Sequence, residues 1–321
     1  MSTFHAYLEA RRPVDDRALD DRAFEAFADG LAARSTGTDE PLRIVEVGGG
    51  VGTMIARLVE RNALSGPVRY RLIDRDADAV DRARERLPDW LEAAGCTVER
   101  TSTGLVARSS RPRSGATDAP FGLELEVTFE IGDAFAASID RGADAVIGSA
   151  VFDLVDLDRA LPWVASVLEP DGLLYAPLTY DGATGFAPVD PFDDRLEEFY
   201  HRHMDEVRDE PGGSRAGRRL VGALEGDDLS EVLAVGGSDW VLRPHDRPPS
   251  VESAERVVLG HVLETIDDAL ADCSADAIDP RDRRRWLDRR EDELEAGELT
   301  GFARHVDVLA RADSTGRDDR S

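Results

Sequence analysis

The chain has 321 residues, of which 41% are hydrophobic, and a formal net charge of −27. Typical domains contain about 100–200 residues, so the length favours one sheet-based core with a helical addition over two independent units. No apolar run approaches the roughly 20 residues that a membrane helix needs, and two cysteines without CxxC spacing make neither a disulfide framework nor a thiolate metal site. The composition therefore predicts a cytoplasmic protein with no membrane contact and no bound metal.

All 39 basic residues are arginines, and the 66 acidic residues are spread along the whole chain rather than gathered in one tail. Such a surface can repel nucleic acid or serve as an acidic interaction surface. It is also typical of adaptation to a salty cytoplasm, where the screening length shrinks to about 3 Å and self-repulsion costs little. The even spread favours adaptation to salt, and the composition resembles that of proteins from extreme halophiles.

The first half of the chain alternates between apolar runs of strand length and segments with helical periodicity. We predict a helix through residues 24–31, a strand at 42–47, a helix at 54–62, a strand at 68–73 and a helix around 80–87. This β-α-β-α order is typical of a parallel sheet with helices on both faces.

Two strand-like stretches follow, at 97–107 and 123–131, and a polar loop at 109–120 separates them. We interpret them as an elongated hairpin that leads into the third parallel strand. The next predicted elements are a fourth strand at 143–147, a helix at 158–168 and a fifth strand at 173–178.

Beyond residue 180 the pattern changes to charged helices and short apolar runs. The predicted elements are helices at 194–208, from 218 onward, at 251–270 and at 281–296, and strands at 240–242 and 302–309. We therefore divide the chain into an N-terminal helical segment (1–39), a sheet core (40–182), helical additions with the last strands on the substrate side (183–311) and a disordered tail (312–321).

The strongest local signal is a glycine-rich segment, residues 46–53 with the sequence EVGGGVGT, between a strand and a helix. Glycines let the backbone turn sharply and approach a ligand, and the following helix offers unpaired N–H groups. Dinucleotide sites use GxGxxG at the same place. Here, however, Gly52 follows Gly50 by two residues, where that fingerprint places a Gly or Ala at Thr53. The acid Glu46 lies inside the strand end, where it can meet a cationic amino-acid group through ordered water.

The pattern E-x-G-x-G-x-G after a strand resembles motif I of the class I S-adenosylmethionine (SAM)-dependent methyltransferases. Further segments resemble the family in the same order, over about residues 40–180: Asp74 at the end of the second strand, Gly132–Phe135, Ser149–Phe152, and the turn Leu168–Leu173, in which Asp171 replaces the first glycine of L-x-P-G-G. The resemblance implies an α/β fold, namely a Rossmann-like, doubly wound, mostly parallel seven-stranded sheet with a helical lid and additions in the C-terminal half.

The resemblance also implies SAM as the cofactor of a SAM-binding core. Asp74 is expected to accept hydrogen bonds from both ribose hydroxyls, and Asp133 from the amino group of adenine. A nicotinamide cofactor is the main alternative, because Asp74 would also suit an NAD ribose. An aminopropyltransferase that uses decarboxylated SAM is a smaller one. The implied cofactor-binding residues are Glu46, Gly48, Gly50, Gly52, Asp74, Arg75, Asp133, Ala134 and Ser149.

Ligands of open α/β sheets lie outside the carboxyl ends of the strands, so the segment after the fifth strand opens into the predicted active site. A methyltransferase aligns the nucleophile with the methyl group and removes a proton where the nucleophile carries one. We predict Asp181 and His201 as candidate bases and Tyr180 as a third catalytic candidate that gates the pocket. A surface position is the competing interpretation for His201, and plain packing is the competing one for Tyr180.

Polar residues beyond this segment are denser than packing requires. The loop at 213–218 opens a helix and suits an anion, and the pair at 239–240 offers a carboxylate and a stacking ring. If Arg215 and Arg218 face the cavity, the acceptor carries a carboxylate or a phosphate. The predicted substrate-binding residues are Tyr200, Asp205, Arg215, Arg218, Asp239 and Trp240.

These patterns predict an enzyme that moves the methyl group of SAM to an O, N or C nucleophile of a small molecule, anionic if the two arginines contact it. The large helical additions favour a small acceptor, because they could form a lid that excludes water. The sequence has no (D/N)PP(Y/F) stretch, no cysteine after a proline and no aromatic-plus-basic stripe, so nucleic acid is disfavoured as a partner. Protein or RNA methylation, a NAD-dependent oxidoreductase and a non-catalytic SAM-binding protein remain the alternatives.

Overall fold

The computed structural model describes residues 3–36, 38, 40–109, 122–136, 139, 141–208, 212–226, 230–244, 253–272 and 278–313. The polar loop predicted at 109–120 and the tail predicted at 312–321 fall almost entirely outside these residues. Within them, no helix combines the length and the apolarity that are needed to cross a membrane.

The described residues form one sheet of ten strands. The strands are β1 (Leu42–Val47), β2 (Gly66–Asp74), β3 (Thr97–Arg100), β4 (Gly104–Ser109), β5 (Leu123–Ile131), β6 (Ala143–Ile147), β7 (Leu168–Ala187), β8 (Ser230–Gly237), β9 (Trp240–Leu242) and β10 (Thr300–Ala312). Seven of them follow the order β5-β2-β1-β6-β7-β10-β8, and β10 runs antiparallel to both of its neighbours. The predicted seven-stranded, mostly parallel sheet is thereby confirmed. The β3–β4 pair extends one edge, and β9 pairs with β10.

Nine helices of the described residues surround the sheet. They are α1 (Thr3–Ala18), α2 (Asp21–Ser35), α3 (Thr53–Glu60), α4 (Ala77–Ala93), α5 (Leu157–Val167), α6 (Asp193–Arg202), α7 (Ala216–Gly226), α8 (Ala254–Ala271) and α9 (Pro280–Ala296). A π-helical turn, His203–Val207, continues α6. The sheet is doubly wound, because α2, α3 and α4 pack into one apolar cluster with it and α5 and α7 into another.

The stretch predicted as one strand at 97–107 is a tight hairpin of β3 and β4. The turn closes where the N–H of Thr101 donates to the carbonyl of Gly104 at 2.9 Å. A Cβ at Gly104 would overlap the backbone of Val127 on β5, so the sheet edge requires glycine at this position. The strand β8 was not predicted; its outward residues Leu233 and Val235 are exposed at the other edge of the sheet.

A third apolar cluster lies beyond the carboxyl ends of the parallel strands, and we call the elements that build it the cap. The strand β7 runs for 20 residues and pairs with β10 as far as Ala187, so this two-stranded ribbon projects past the rest of the sheet. The helices α1, α6, α8 and α9 and the strand β9 pack around it. The cap therefore combines the first helix of the chain with segments from its second half.

Candidate functional site

A cavity of about 780 Å³ lies between the carboxyl ends of the parallel strands and the cap. On the sheet side its wall includes Gly48 after β1, Asp74 at the end of β2 and Asp133 after β5. On the cap side its wall includes Tyr7 on α1 and His261 on α8. This is the edge at which open α/β sheets bind their ligands.

The glycine-rich loop between β1 and α3 forms the floor of the sheet side. Gly48 and Gly50 have φ values of +62° and +50°, a region that side chains with a Cβ rarely occupy. A Cβ at Gly48 would also overlap the side chain of Val151 on the neighbouring loop. The nearest side-chain atom to a Cβ at Gly50 would be Cδ1 of Leu8, at 4.0 Å, so the loop backbone there is open to a ligand.

The carboxylate of Asp74 joins the glycine loop to the end of β2. Its Oδ2 accepts a hydrogen bond of 2.7 Å from the N–H of Gly50, and its Oδ1 accepts one of 2.9 Å from the N–H of Asp76. The side chain lines the cavity together with that of Arg75. A carboxylate held in this way can accept further hydrogen bonds from neighbouring hydroxyl groups, because each oxygen has two lone pairs.

Glu46 lies behind the cavity wall, and Val47 and Gly48 separate it from the open space. The side chain is buried, and its Oε2 accepts a hydrogen bond of 2.8 Å from the hydroxyl of Tyr70. Burial raises the pKa of Glu46 to about 8, although the bond from Tyr70 acts in the opposite direction. The carboxyl group is therefore largely protonated at neutral pH until a cation approaches it.

Two further predicted segments complete the sheet side of the wall. Asp133 accepts a hydrogen bond of 3.0 Å from the N–H of Phe135, and its other oxygen accepts one of 3.0 Å from Arg159. The loop after β6 is held by a bond of 2.9 Å from the N–H of Ala150 to the carbonyl of Pro177. Of the nine predicted cofactor residues, Glu46 and Gly52 lie behind the wall, and the seven in it are Gly48, Gly50, Asp74, Arg75, Asp133, Ala134 and Ser149.

Tyr180 and His201, two of the catalytic candidates, are joined by a hydrogen bond. The hydroxyl of Tyr180 lies 2.9 Å from Nε2 of His201 and 2.8 Å from Oγ1 of Thr184. Tyr180 lines the cavity, whereas His201 is a half-buried residue behind it, 3.8 Å from Glu197. Burial lowers the pKa of His201 and raises that of Tyr180, so both groups are favoured in their neutral forms.

Asp181, the third catalytic candidate, points away from the cavity. Successive residues of a strand project to opposite faces, and Tyr180 already faces the cavity. The carboxylate accepts hydrogen bonds from the backbone N–H and the guanidinium of Arg218, at 2.8–3.0 Å. Burial opposes its ionisation, but the bonds from Arg218 outweigh burial and lower the pKa of Asp181. The pair anchors the start of α7 to β7.

The six predicted substrate residues divide between the cavity and the surroundings. Tyr200 and Trp240 line the cavity. Asp205 accepts hydrogen bonds from the N–H and hydroxyl of Ser214, and Asp239 accepts one from the N–H of His305. The residues outside the cavity wall are Asp205, Arg215, Arg218 and Asp239, so the two arginines expected to hold an anion do not face the open space.

Several residues of the cavity wall were not predicted from the sequence. One face of α1 contributes Phe4, Tyr7, Leu8 and Arg11, a spacing of three and four residues that is a readable helical signal. The other unpredicted polar residues include Asp153 after β6, Arg208 after the π-helical turn, His261 on α8 and His305 on β10.

His305 is buried between two aromatic rings of the cavity wall. Its ring centroid lies 4.8 Å from that of Trp240 and 5.7 Å from that of Tyr180. Burial lowers the pKa of His305 to about 3, so the ring is neutral. The strand β10 places His305 opposite Tyr180 of β7, so both residues reach the wall.

No protein-family model matches the chain, and no curated protein matches it either. Several solved structures, however, are similar to the chain. A SAM-dependent methyltransferase from Thiobacillus denitrificans in complex with S-adenosyl-L-homocysteine is 14% identical, with a TM-score of 0.45 over 96% of this chain and 98% of that one. A geranyl diphosphate C-methyltransferase from Streptomyces coelicolor is 12% identical, with a TM-score of 0.41 over 89% and 75%. At such identities and TM-scores, the likeness does not extend to substrates.

The strand order of the sheet decides the fold class. Five parallel strands end in a ribbon whose antiparallel member, β10, lies between β7 and β8, and the glycine loop follows the central strand β1. The chain has a Rossmann-like α/β fold. In this fold the cavity found here occupies the ligand edge, and the cap closes over it.

Proposed function

We propose that the protein is a SAM-dependent methyltransferase that acts on an O, N or C nucleophile of a small molecule. The observation that carries the proposal is the convergence of the glycine loop, Asp74 and Asp133 on one wall of a single cavity. The remainder of that cavity extends under the cap, which gives a second reactant a place beside the first. A shared, partly enclosed space is what direct transfer between two bound molecules requires.

The residues of the sheet-side wall fit SAM by their chemistry. The open backbone at Gly48 and Gly50 can lie against the amino-acid part, and Glu46 behind the loop can balance the charge of an ammonium group. Asp74 can accept from ribose hydroxyls, and Asp133 from the adenine amine. When bound, SAM supplies the electrophilic methyl group.

The Tyr180–His201 pair can remove a proton from the acceptor. Tyr180 lines the cavity, and its hydroxyl is hydrogen-bonded to a neutral imidazole. Burial raises the pKa of Tyr180 and therefore disfavours a tyrosinate. The phenol oxygen takes the proton of the acceptor while the phenol donates its own proton to His201, which lies next to Glu197. Asp181 is unsuited to this role because Arg218 occupies its carboxylate.

Calorimetric titration with SAM, S-adenosylhomocysteine and NADH in multimolar KCl tests the cofactor. We expect micromolar binding of the first two, loss of that binding in Asp74→Ala, and no effect of Glu99→Gln, an exposed acid on β3 far from the cavity. Transfer from methyl-labelled SAM to a small-molecule fraction then tests the chemistry. Tyr180→Phe is expected to lower turnover by about 10²-fold or more with unchanged SAM affinity.

Other outcomes of the same experiments separate the alternatives. Binding of NADH without SAM would overturn the proposal in favour of a nicotinamide enzyme. Binding of SAM without transfer to any acceptor fraction would point to a non-catalytic SAM-binding protein. The open cavity of about 780 Å³ argues against the latter, because a protein that only binds SAM needs no second compartment.

A further inference from the structure

Two residues of opposite charge lie in the cavity wall next to the cap without forming an ion pair. Asp153 follows β6, and Arg208 follows the π-helical turn after α6. One nitrogen of Arg208 donates to the backbone carbonyl of Asp153 at 2.7 Å, which fixes the position of the guanidinium. Among the described residues, no carboxylate lies within ion-pair distance of Arg208.

Both side chains carry a buried polar atom that has no hydrogen-bond partner among the described residues. These atoms are Oδ1 of Asp153 and Nε of Arg208. By contrast, the guanidinium of Arg218 is held by the carboxylate of Asp181 at 2.8 Å. An unsatisfied buried polar atom is costly, and a polar ligand in the adjoining space can remove that cost.

The walls around these two residues are flat and aromatic. Tyr7, Tyr200 and Trp240 line this part of the cavity. The guanidinium of Arg11 lies over the rings of Tyr7 and Trp240, at 5.6 and 5.0 Å from their centroids, and it is balanced by Asp15 at 3.4 Å. Arg11 is thus paired with a carboxylate, whereas Arg208 has none within ion-pair distance among the described residues, so a ligand's negative charge is better matched by Arg208. Flat rings pack best against another flat group.

We propose that the methyl acceptor is a small planar molecule with an acidic group that binds Arg208 and a hydroxyl or amino group that donates to Asp153. This inference rests on the proposed function, since it assigns the second compartment of the cavity to the acceptor. A guanidinium matches the planar geometry of a carboxylate, and a carboxylate accepts from a hydroxyl or an amine. The acidic group is therefore bound by Arg208 rather than by Arg215 or Arg218.

Aromatic acids titrated into the complex with saturating S-adenosylhomocysteine test the inference. The probes are 4-hydroxybenzoate, benzoate, which lacks the donor, and 4-hydroxybenzamide, which lacks the charge. We expect 4-hydroxybenzoate to bind at least about tenfold more tightly than either control, because hydrogen bonds to charged groups are worth that much in a buried site.

Three variants assign the effect to residues. Arg208→Gln should abolish the preference for 4-hydroxybenzoate over the amide, and Asp153→Asn should abolish the preference over benzoate. Arg215→Gln, an exposed residue outside the cavity wall, should change neither. Thermal unfolding of each variant checks that it folds.

The outcomes of the two proposals are distinguishable. If S-adenosylhomocysteine itself does not bind, the proposed function fails. If it binds but none of the three probes does, or all three bind equally, the acceptor inference is overturned while the cofactor assignment stands.

Discussion

Burial and an approaching cation shift the pKa of Glu46 in opposite directions. Its carboxyl group is enclosed behind the glycine loop, and burial raises its pKa to about 8. A cationic amino group bound on the other side of the loop favours the ionised form instead. The pKa of Glu46 should therefore fall when the cofactor binds, and a proton should be released.

The affinity for SAM should consequently rise with pH in the range below the pKa of Glu46. Where most of the free protein carries the proton, each pH unit should lower the Kd by up to about tenfold, because one proton leaves per molecule bound. Titrations from about pH 6 to about pH 7.5 measure the slope. S-adenosylhomocysteine should give the same slope, because it keeps the amino group and lacks the sulfonium charge.

Glu46→Gln supplies the matched control for this pH dependence. Glutamine keeps an acceptor for the hydroxyl of Tyr70 but cannot ionise. The variant should bind SAM more weakly at about pH 7.5 and with little dependence on pH. A wild-type Kd that is constant over this range would show that Glu46 takes no part in holding the cofactor.

At the scale of elements, the sequence predicted most of what lies near the glycine loop. The strands at 42–47, 68–73 and 123–131 are apolar runs with clear ends, and each end carries a residue of the cavity wall. Local pattern suffices there because a parallel strand that is buried on both faces has to be a nearly continuous apolar run. The seven-stranded, mostly parallel sheet was expected from the resemblance and was confirmed.

The cap could not be predicted to the same depth, because its contacts join distant parts of the chain. α1 packs against α8, more than 200 residues later, and no local periodicity encodes that contact. The strand β7 was expected to end at residue 178, but pairing with β10 carries it to Ala187. That extension determines the alternation that turns Tyr180 toward the cavity and Asp181 away from it.

One ion pair between α6 and α9 is expected to hold the cap together. Arg290 is fully buried, and its Nη2 donates to both carboxylate oxygens of Asp193 at 2.7 Å. Asp193→Ala removes two hydrogen bonds from that cation and leaves Glu293, at 2.6 Å, as its remaining carboxylate, so we expect the free energy of unfolding to fall by about 2 kcal/mol. Chemical denaturation in multimolar KCl measures the change.

The neighbouring acid is a matched control for that substitution. Asp194 is also in the first turn of α6, but it is exposed. Asp194→Ala removes the same charge near the same helix N-terminus and should cost less than about 0.5 kcal/mol. Equal losses for the two variants would mean that the helix terminus, and not the buried pair, accounts for the effect.

At the scale of the whole molecule, the net charge of −27 opposes the compact state. Surface acids spread along the chain repel one another, and salt reduces that repulsion by shortening the screening length from about 10 Å at 0.1 M to about 3 Å at 1 M. We propose that the composition adapts the protein to high salt. The protein should then be least stable in dilute buffer, where the surface charges repel one another most, even though its apolar clusters are buried.

The Tm should rise with KCl, and most of the rise should occur below about 1 M, where the screening length changes most. The loss of stability in Asp193→Ala should stay nearly constant over the same range, because its ion pair is buried and therefore little screened. Sucrose stabilises by exclusion from the protein surface without screening charge, so it separates the two causes. If sucrose at equal osmolality raised the Tm as much as KCl does, charge repulsion would not be what the salt relieves.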